Sequence, residues 1–216
     1  MRREAMLAAA ATVFAERGYA QATLDEIAER AEFGKGTLYN YFEDGKEGLL
    51  FAIFDQVYDD LYAMIQETIG ADAPSDRSFR ASFRALVVQS FAYYEEREDL
   101  LLILIKEAHR HCFSEDVDKA AYFQEQQQRM IGALLPAVEA AMDDEALAAL
   151  PARPVAYLLL ETVHDLLVHR CLAERSETLE ATCPPEVPLL HDPDAAADFL
   201  TRFLFDGLHA RGRSSS

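Results

Sequence analysis

Apolar positions in this chain recur at intervals of three and four almost from end to end, the period of amphipathic α-helices. Leu7, Ala10, Ala11 and Phe14 form the first stripe, and Gly18 stops it, because glycine readily takes the left-handed conformation that ends helices. Thr23-Leu24-Asp25-Glu26 has the order of a capping box, in which the Thr side chain meets the amide three residues on and the Glu reaches back. Leu24, Ile27, Ala28 and Ala31 share one face and predict a second helix to about Ala31. Glu32-Phe33-Gly34 reads as a short turn, and Lys35 to Phe42 as a third helix with Leu38 and Phe42 facing inward. Glu43-Asp44-Gly45 breaks that helix, and a long one follows from Lys46 to Ile69.

Further helices are expected at about Arg77 to Glu96, Asp99 to Cys112, Val117 to Met142, Pro151 to Glu174 and Asp194 to Ala210. Ser176 to Pro193 contains four prolines and is expected to be an irregular connection, long enough to be functional or mobile. The tail, 211–216, is expected to be disordered. The chain therefore reads as all-α, with about nine helices.

Composition agrees with this reading, because helix-forming Ala, Leu and Glu are abundant while Gly and Pro are few. Three cysteines (Cys112, Cys171, Cys183) without CxxC spacing argue against a disulfide framework or a structural zinc and fit a reducing cytoplasm. The N-terminal stretch continues as an amphipathic helix into Glu16 and Arg17 rather than ending as a signal peptide. No apolar run reaches the roughly 20 residues that span a bilayer, so no membrane partner is expected.

Charge complicates the picture. The formal net charge is −18, and residues 1–48 carry six basic side chains against nine acidic ones. A nucleic-acid partner is therefore not suggested by electrostatics, which normally favours a basic surface. Only four of the twenty basic residues are lysine. An acidic, Lys-poor surface fits a salt-rich cytoplasm that screens self-repulsion, and equally an ordinary acidic protein from a GC-rich genome.

Two short helices joined by a three-residue turn form a bare helix-turn-helix, whose second helix reads the major groove. The spacing alone is shared by many αα-hairpins. The residues from Phe14 to Leu50 say more: Phe14 and Arg17-Gly18-Tyr19 close the first helix, Thr23 opens the second, and Ile27-Ala28 and Ala31 pack the pair. Lys35-Gly36-Thr37-Leu38-Tyr39 with Tyr41-Phe42 form the third helix, and Lys46-Glu47 start the fourth. This segment resembles the N-terminal signature of TetR-family transcriptional regulators. Three features depart from that pattern. Glu32 stands where the turn usually has Gly, Gly34 stands where Ser or Thr is common, and the link from Phe42 to Lys46 is one residue longer.

The resemblance implies a DNA-binding domain at 1–46 and a ligand-binding and dimerisation domain at 47–210. Thr23, Gly34, Lys35, Gly36, Thr37, Tyr39, Asn40, Tyr41 and Lys46 are the expected DNA-binding residues. Thr23 and Lys46 sit at helix N-termini that suit phosphate. Tyr39 and Tyr41 offer hydroxyls, Gly36 permits close backbone approach, Thr37 can meet a thymine methyl and Asn40 an adenine. Arg2 and Arg3 either form an arm that reaches the duplex or fray.

The last two long helices carry wide apolar stripes, which either close a monomer core or form a two-fold interface. The resemblance implies the interface, with Leu159, Val163, Leu166, Phe199, Phe203 and Gly207 in it. The middle helices are rich in aromatics, and the resemblance implies a pocket there for a hydrophobic or amphipathic effector. Tyr62, Phe91, Tyr94, His109, Tyr122, Phe123, Met130, Glu161 and His164 are its candidates, since such sites combine apolar walls with a few polar anchors. His109, His111 and Cys112 cannot chelate a metal from one helix, because residues two apart point away from each other. No metal and no cofactor is expected. No nucleophile elbow, Walker loop, HExxH or dinucleotide fingerprint is present, so an enzyme is not expected. The reading is a cytoplasmic, homodimeric repressor released from a palindromic double-stranded operator by a small effector. A helical small-molecule-binding dimer without operator binding is the alternative.

Overall fold

The computed structural model describes residues 2–112, 115–174 and 192–207, with the side chains of 171–174 excepted. All regular structure among these residues is helical: α1 (Arg2–Arg17), α2 (Leu24–Arg30), α3 (Lys35–Tyr41), α4 (Gly45–Thr68), α5 (Phe79–Glu96), α6 (Glu98–Cys112), α7 (Val117–Asp143), α8 (Ala152–Glu174) and α9 (Pro193–Asp206). No helix of the described residues is long and apolar enough to cross a membrane. The expected Ser176–Pro193 connection, as far as residue 191, and the 211–216 tail lie outside the described residues.

Contacts gather the chain into two compact units, one within Met1–Tyr62 and Glu96–Gln127, the other within Ala63–Glu95 and Gln128–Ser216. The cuts fall inside α4 and α7 rather than at residue 46. In the first unit α1 packs on α2 and on α6, and α2 on α3. Met6, Ala10, Phe14, Ile27, Leu38, Leu49 and Leu50 are almost fully buried there. In the second unit, Phe83, Val87, Phe91 and Tyr94 of α5 are buried, as are Leu134 and Val138 of α7 and Ala196, Ala197 and Leu200 of α9. Arg84 reaches Asp194 and Asp198 at 2.6 Å, and Arg80 reaches Asp206 at 2.8 Å, tying α9 to α5.

Two helix ends correct the sequence reading. The last helix was expected to run to Ala210, but it ends at Asp206, where Gly207 takes φ +71°. Asp192 caps its start by accepting from the amides of Asp194 and Ala195. The link before α4 is shorter than expected, because α4 begins at Gly45. Gly45 has φ +61°, and a Cβ there would stand 3.1 Å from Leu24 Cδ1 and 3.5 Å from Tyr39 Cε1. Both the conformation and the close packing demand glycine.

Candidate nucleic-acid interface

The predicted capping box is present. Thr23 Oγ1 accepts from the Glu26 amide at 3.3 Å, and Glu26 Oε2 accepts from the Thr23 amide at 3.0 Å and from its hydroxyl at 2.8 Å. These bonds hold the Glu26 carboxyl below its usual range, the side-chain bond first and the backbone bond second. Thr23, expected to meet phosphate, thus has its amide and hydroxyl engaged in starting α2.

The turn from α2 to α3 is a Schellman motif. The Glu32 amide donates to the Glu29 carbonyl at 3.1 Å and the Phe33 amide to the Ala28 carbonyl at 3.0 Å. That pattern requires a left-handed residue after the cap, and Glu32 supplies it with φ +59°. The departure from glycine read in the sequence has therefore left the turn geometry in place at the cost of strain. Gly34 then starts α3 from extended backbone, without a side-chain cap.

The exposed surface of α3 consists of Lys35, Gly36, Tyr39, Asn40 and Tyr41, with Thr37 half-buried and Leu38 fully buried. Tyr39 and Tyr41 are 43% and 44% exposed, which is unusual for aromatic side chains and leaves their hydroxyls available. Nothing stands within 4 Å of a Cβ built at Gly36, so a second molecule can approach the backbone there. Six of the nine expected DNA-binding residues thus lie together on one short helix.

The basic side chains behave differently from expectation. Lys46 was expected to meet phosphate. Instead its ammonium donates to the carbonyls of Tyr19, Ala20 and Ala22 at 2.8, 3.3 and 3.0 Å and lies 4.7 Å from the Tyr19 ring centroid. An ammonium has three donors, and all three hold the loop between α1 and α2. Lys46 is a structural clamp. Lys35 is paired with Asp25 of α2 at 2.9 Å, and that partner raises its pKa. Arg30 binds Glu16 in a bidentate pair at 2.6 and 2.7 Å, and Arg17 stands 3.7 Å from Glu26. Arg2 and Arg3 are exposed at the start of α1, with the Arg3 guanidinium 5.5 Å from the Phe42 ring centroid.

The effector candidates separate between the compact units. Within the first unit, Tyr122 and Phe123 join Phe51, Phe54, Tyr58 and His111 in an aromatic cluster with ring centroids 5.1 to 6.5 Å apart. Tyr122 donates to Asp55 at 2.8 Å, and burial first and Asp55 second push its pKa up. Tyr62 is half-buried in the same unit. His109 is exposed, its Nδ1 at 2.8 Å from the Ile105 carbonyl, whereas His111 is buried. Burial is the main cause that lowers the His111 pKa, followed by Arg110 and Lys119. His111 lies seven residues after buried Leu104, two turns along the same helix face, and that register is the signal the sequence reading passed over.

Within the second unit, Phe91 and Tyr94 are buried beneath the Arg170 guanidinium, 5.4 Å from each ring centroid, and Arg170 pairs with Glu95 at 2.8 Å. Met130 is buried. Glu161 and His164 were expected to line a pocket. They lie instead on the outward side of α8, opposite buried Leu159 and Val163.

The expected interface residues also divide. Leu159 and Val163 are 5% and 6% exposed, so their apolar surface is already covered inside the single chain and a second copy cannot reach it. Leu166 is half-buried and Gly207 caps α9. Phe199 and Phe203 are exposed and stacked at 5.9 Å. On α8 the exposed apolar residues are Tyr157 and Leu158.

Comparison with known proteins places these features. Residues 6–53 match the family model described as bacterial regulatory proteins, tetR family. The HTH-type transcriptional repressor KstR2 of Rhodococcus jostii is 38% identical over 90 residues, which is 42% of each chain. The HTH-type transcriptional activator FasR of Mycolicibacterium smegmatis is 34% identical over 84 residues, 39% of this chain and 38% of that one. The chain thus matches less than half the length of these curated relatives. Among solved structures, the transcriptional regulator FadR from Bacillus subtilis in complex with stearoyl-CoA superimposes with a TM-score of 0.73 at 17% identity, covering 95% of this chain and 99% of that one. At that identity the likeness is one of fold.

Proposed function

We propose that this chain, whose N-terminal helices are the DNA-reading domain of the TetR family, is a homodimeric transcriptional regulator that releases its operator when a small amphipathic molecule binds. The observation that carries the reading is the solvent-facing surface of α3. Tyr39, Asn40 and Tyr41 stand exposed on the second helix of a helix-turn-helix, in the segment that matches the family model. Such a helix enters the major groove, and a two-fold dimer places two of them about one duplex turn apart on a palindrome.

Exposed Tyr157, Leu158, Phe199 and Phe203 on α8 and α9 support these helices as the dimer face. DNA reading is assigned to 1–46, and effector binding and dimerisation to 47–210. The Bacillus FadR structure holds stearoyl-CoA, which supports an amphipathic effector here. Repression is the preferred sign, as for KstR2, although FasR is an activator. The effector must bind the released arrangement better than the DNA-bound one. Because α4 runs through both compact units, it is the element through which that preference reaches α3. No catalytic step is assigned, and a cytoplasmic location follows from the DNA partner.

Fluorescence anisotropy with the DNA upstream of the protein's own coding sequence, and with a random-sequence pool, tests the proposal. Saturable, sequence-selective binding that Tyr39→Ala abolishes without loss of helicity is expected. Absence of selective binding at every salt concentration would leave a helical small-molecule-binding dimer in its place.

A further inference from the structure

Glu161, His164 and Asp165 project from the outward side of α8. Their ligand atoms, two carboxylate oxygens and one imidazole nitrogen, all lie within 4.8 Å of one another. Residues three and four apart on a helix are neighbours, so Glu161 stands within reach of both others. Bonds of about 2.0–2.2 Å to nitrogen and oxygen place two donors on one ion at most about 4.4 Å apart. Small rotamer changes therefore bring the three donors onto a single cation, and His164 and Asp165 are exposed enough to make them.

The surroundings supply a reason for an ion. One turn earlier on the same side, Tyr157 and Leu158 are 40% and 59% exposed. A dimer face that covers these two residues also covers Glu161, which is already half-buried. Two copies then bring four carboxylates and two imidazoles into one poorly solvated surface. Charges of one sign in such a place are costly unless they are neutralised, and a divalent cation removes that cost. We propose that this trio is a binding site for a divalent transition-metal ion at the dimer face, with the open coordination position completed by a carboxylate of the second copy. Mixed imidazole and carboxylate donors suit zinc and its neighbours rather than calcium or magnesium, which prefer oxygen alone. The sharing of the site rests on the homodimer proposed above.

The test uses the full chain after chelator treatment. Zinc binding is measured by calorimetry, cobalt binding by its visible absorption, and size by sedimentation with and without metal. Expected are saturable zinc binding at micromolar concentration or tighter, a cobalt spectrum of low coordination number, and a zinc-induced shift toward dimer. Glu161→Gln and His164→Ala should each weaken binding at least ten-fold with helicity unchanged, while His169→Ala should not. Zinc affinity unaffected by His164→Ala, or weaker than about 100 µM, overturns the site. A stable dimer that takes up no zinc overturns the site and leaves the dimer standing. Zinc uptake by a chain that stays monomeric at every concentration overturns the sharing and the dimer together.

Discussion

Replacing Glu32 by glycine should stabilise the protein, although it removes a side chain and adds none. Glu32 follows the cap of α2, and the two Schellman hydrogen bonds at 3.1 and 3.0 Å require its φ of +59°. For a residue with a Cβ, that conformation costs about 1–2 kcal/mol. Glycine escapes the cost but loses about 0.5–1 kcal/mol more backbone entropy on folding. The difference predicts a gain of about 0.5–1 kcal/mol, or roughly 1–4 °C in Tm for a chain of this size. Glu32 is exposed, so no packing is lost. Urea unfolding at fixed protein concentration measures the change, since dimerisation couples stability to concentration. Glu32→Ala separates backbone from charge: it removes the same carboxylate but keeps the strain, and should leave stability within about 0.5 kcal/mol of the parent. The argument is refuted if Glu32→Gly destabilises, or if Glu32→Ala stabilises equally.

Three further expectations follow from the same unit. Lys46→Met should cost about 2 kcal/mol, because it leaves three carbonyls without their charged donor; a variant that unfolds like the parent but binds DNA weakly would restore Lys46 to the phosphate contacts. Asp25→Asn should free Lys35 from its ion pair and tighten DNA binding, steepening the plot of log affinity against log salt by about one unit per subunit; an unchanged slope would place Lys35 away from the duplex. Stability should fall as pH drops through the usual histidine value of 6.5, because burial lowers the His111 pKa and the unfolded chain then binds the extra proton. Its contribution is fully present above 6.5, and His111→Phe should flatten the melting profile between pH 7 and 5.

The helices were legible because burial follows one simple period. Leu7, Ala10 and Phe14, then Ile27, Ala28 and Leu38, were placed inward from spacing alone and are buried. The capping box was legible for the same local reason, since Thr23 and Glu26 are only three residues apart. What failed depended on partners distant in sequence. Nothing near Lys46 announces that its ammonium ends on carbonyls more than twenty positions earlier. The inward choice on α8 failed because both sides of that helix carry apolar residues: Leu159 and Val163 satisfied the stripe, yet Tyr157 and Leu158 remain outside. His109 and His111 differ by two positions, and only the packing of Phe51 and Phe123 against His111 decides between them.

The internal pairing of Arg30, Lys35 and Lys46 also shapes how such a protein would find its target. Sliding along arbitrary DNA depends on loose, sequence-blind attraction between mobile cations and the phosphate backbone. Here the cations of the reading head are already held by Glu16, Asp25 and main-chain oxygens, and the chain as a whole carries −18. Encounters with the wrong sequence should therefore be brief, and the search should proceed by many short three-dimensional excursions rather than long one-dimensional scans. Recognition then rests on neutral groups such as Tyr39, Asn40 and Tyr41. Weak residence elsewhere in the genome widens the gap between operator and background without any increase in operator affinity.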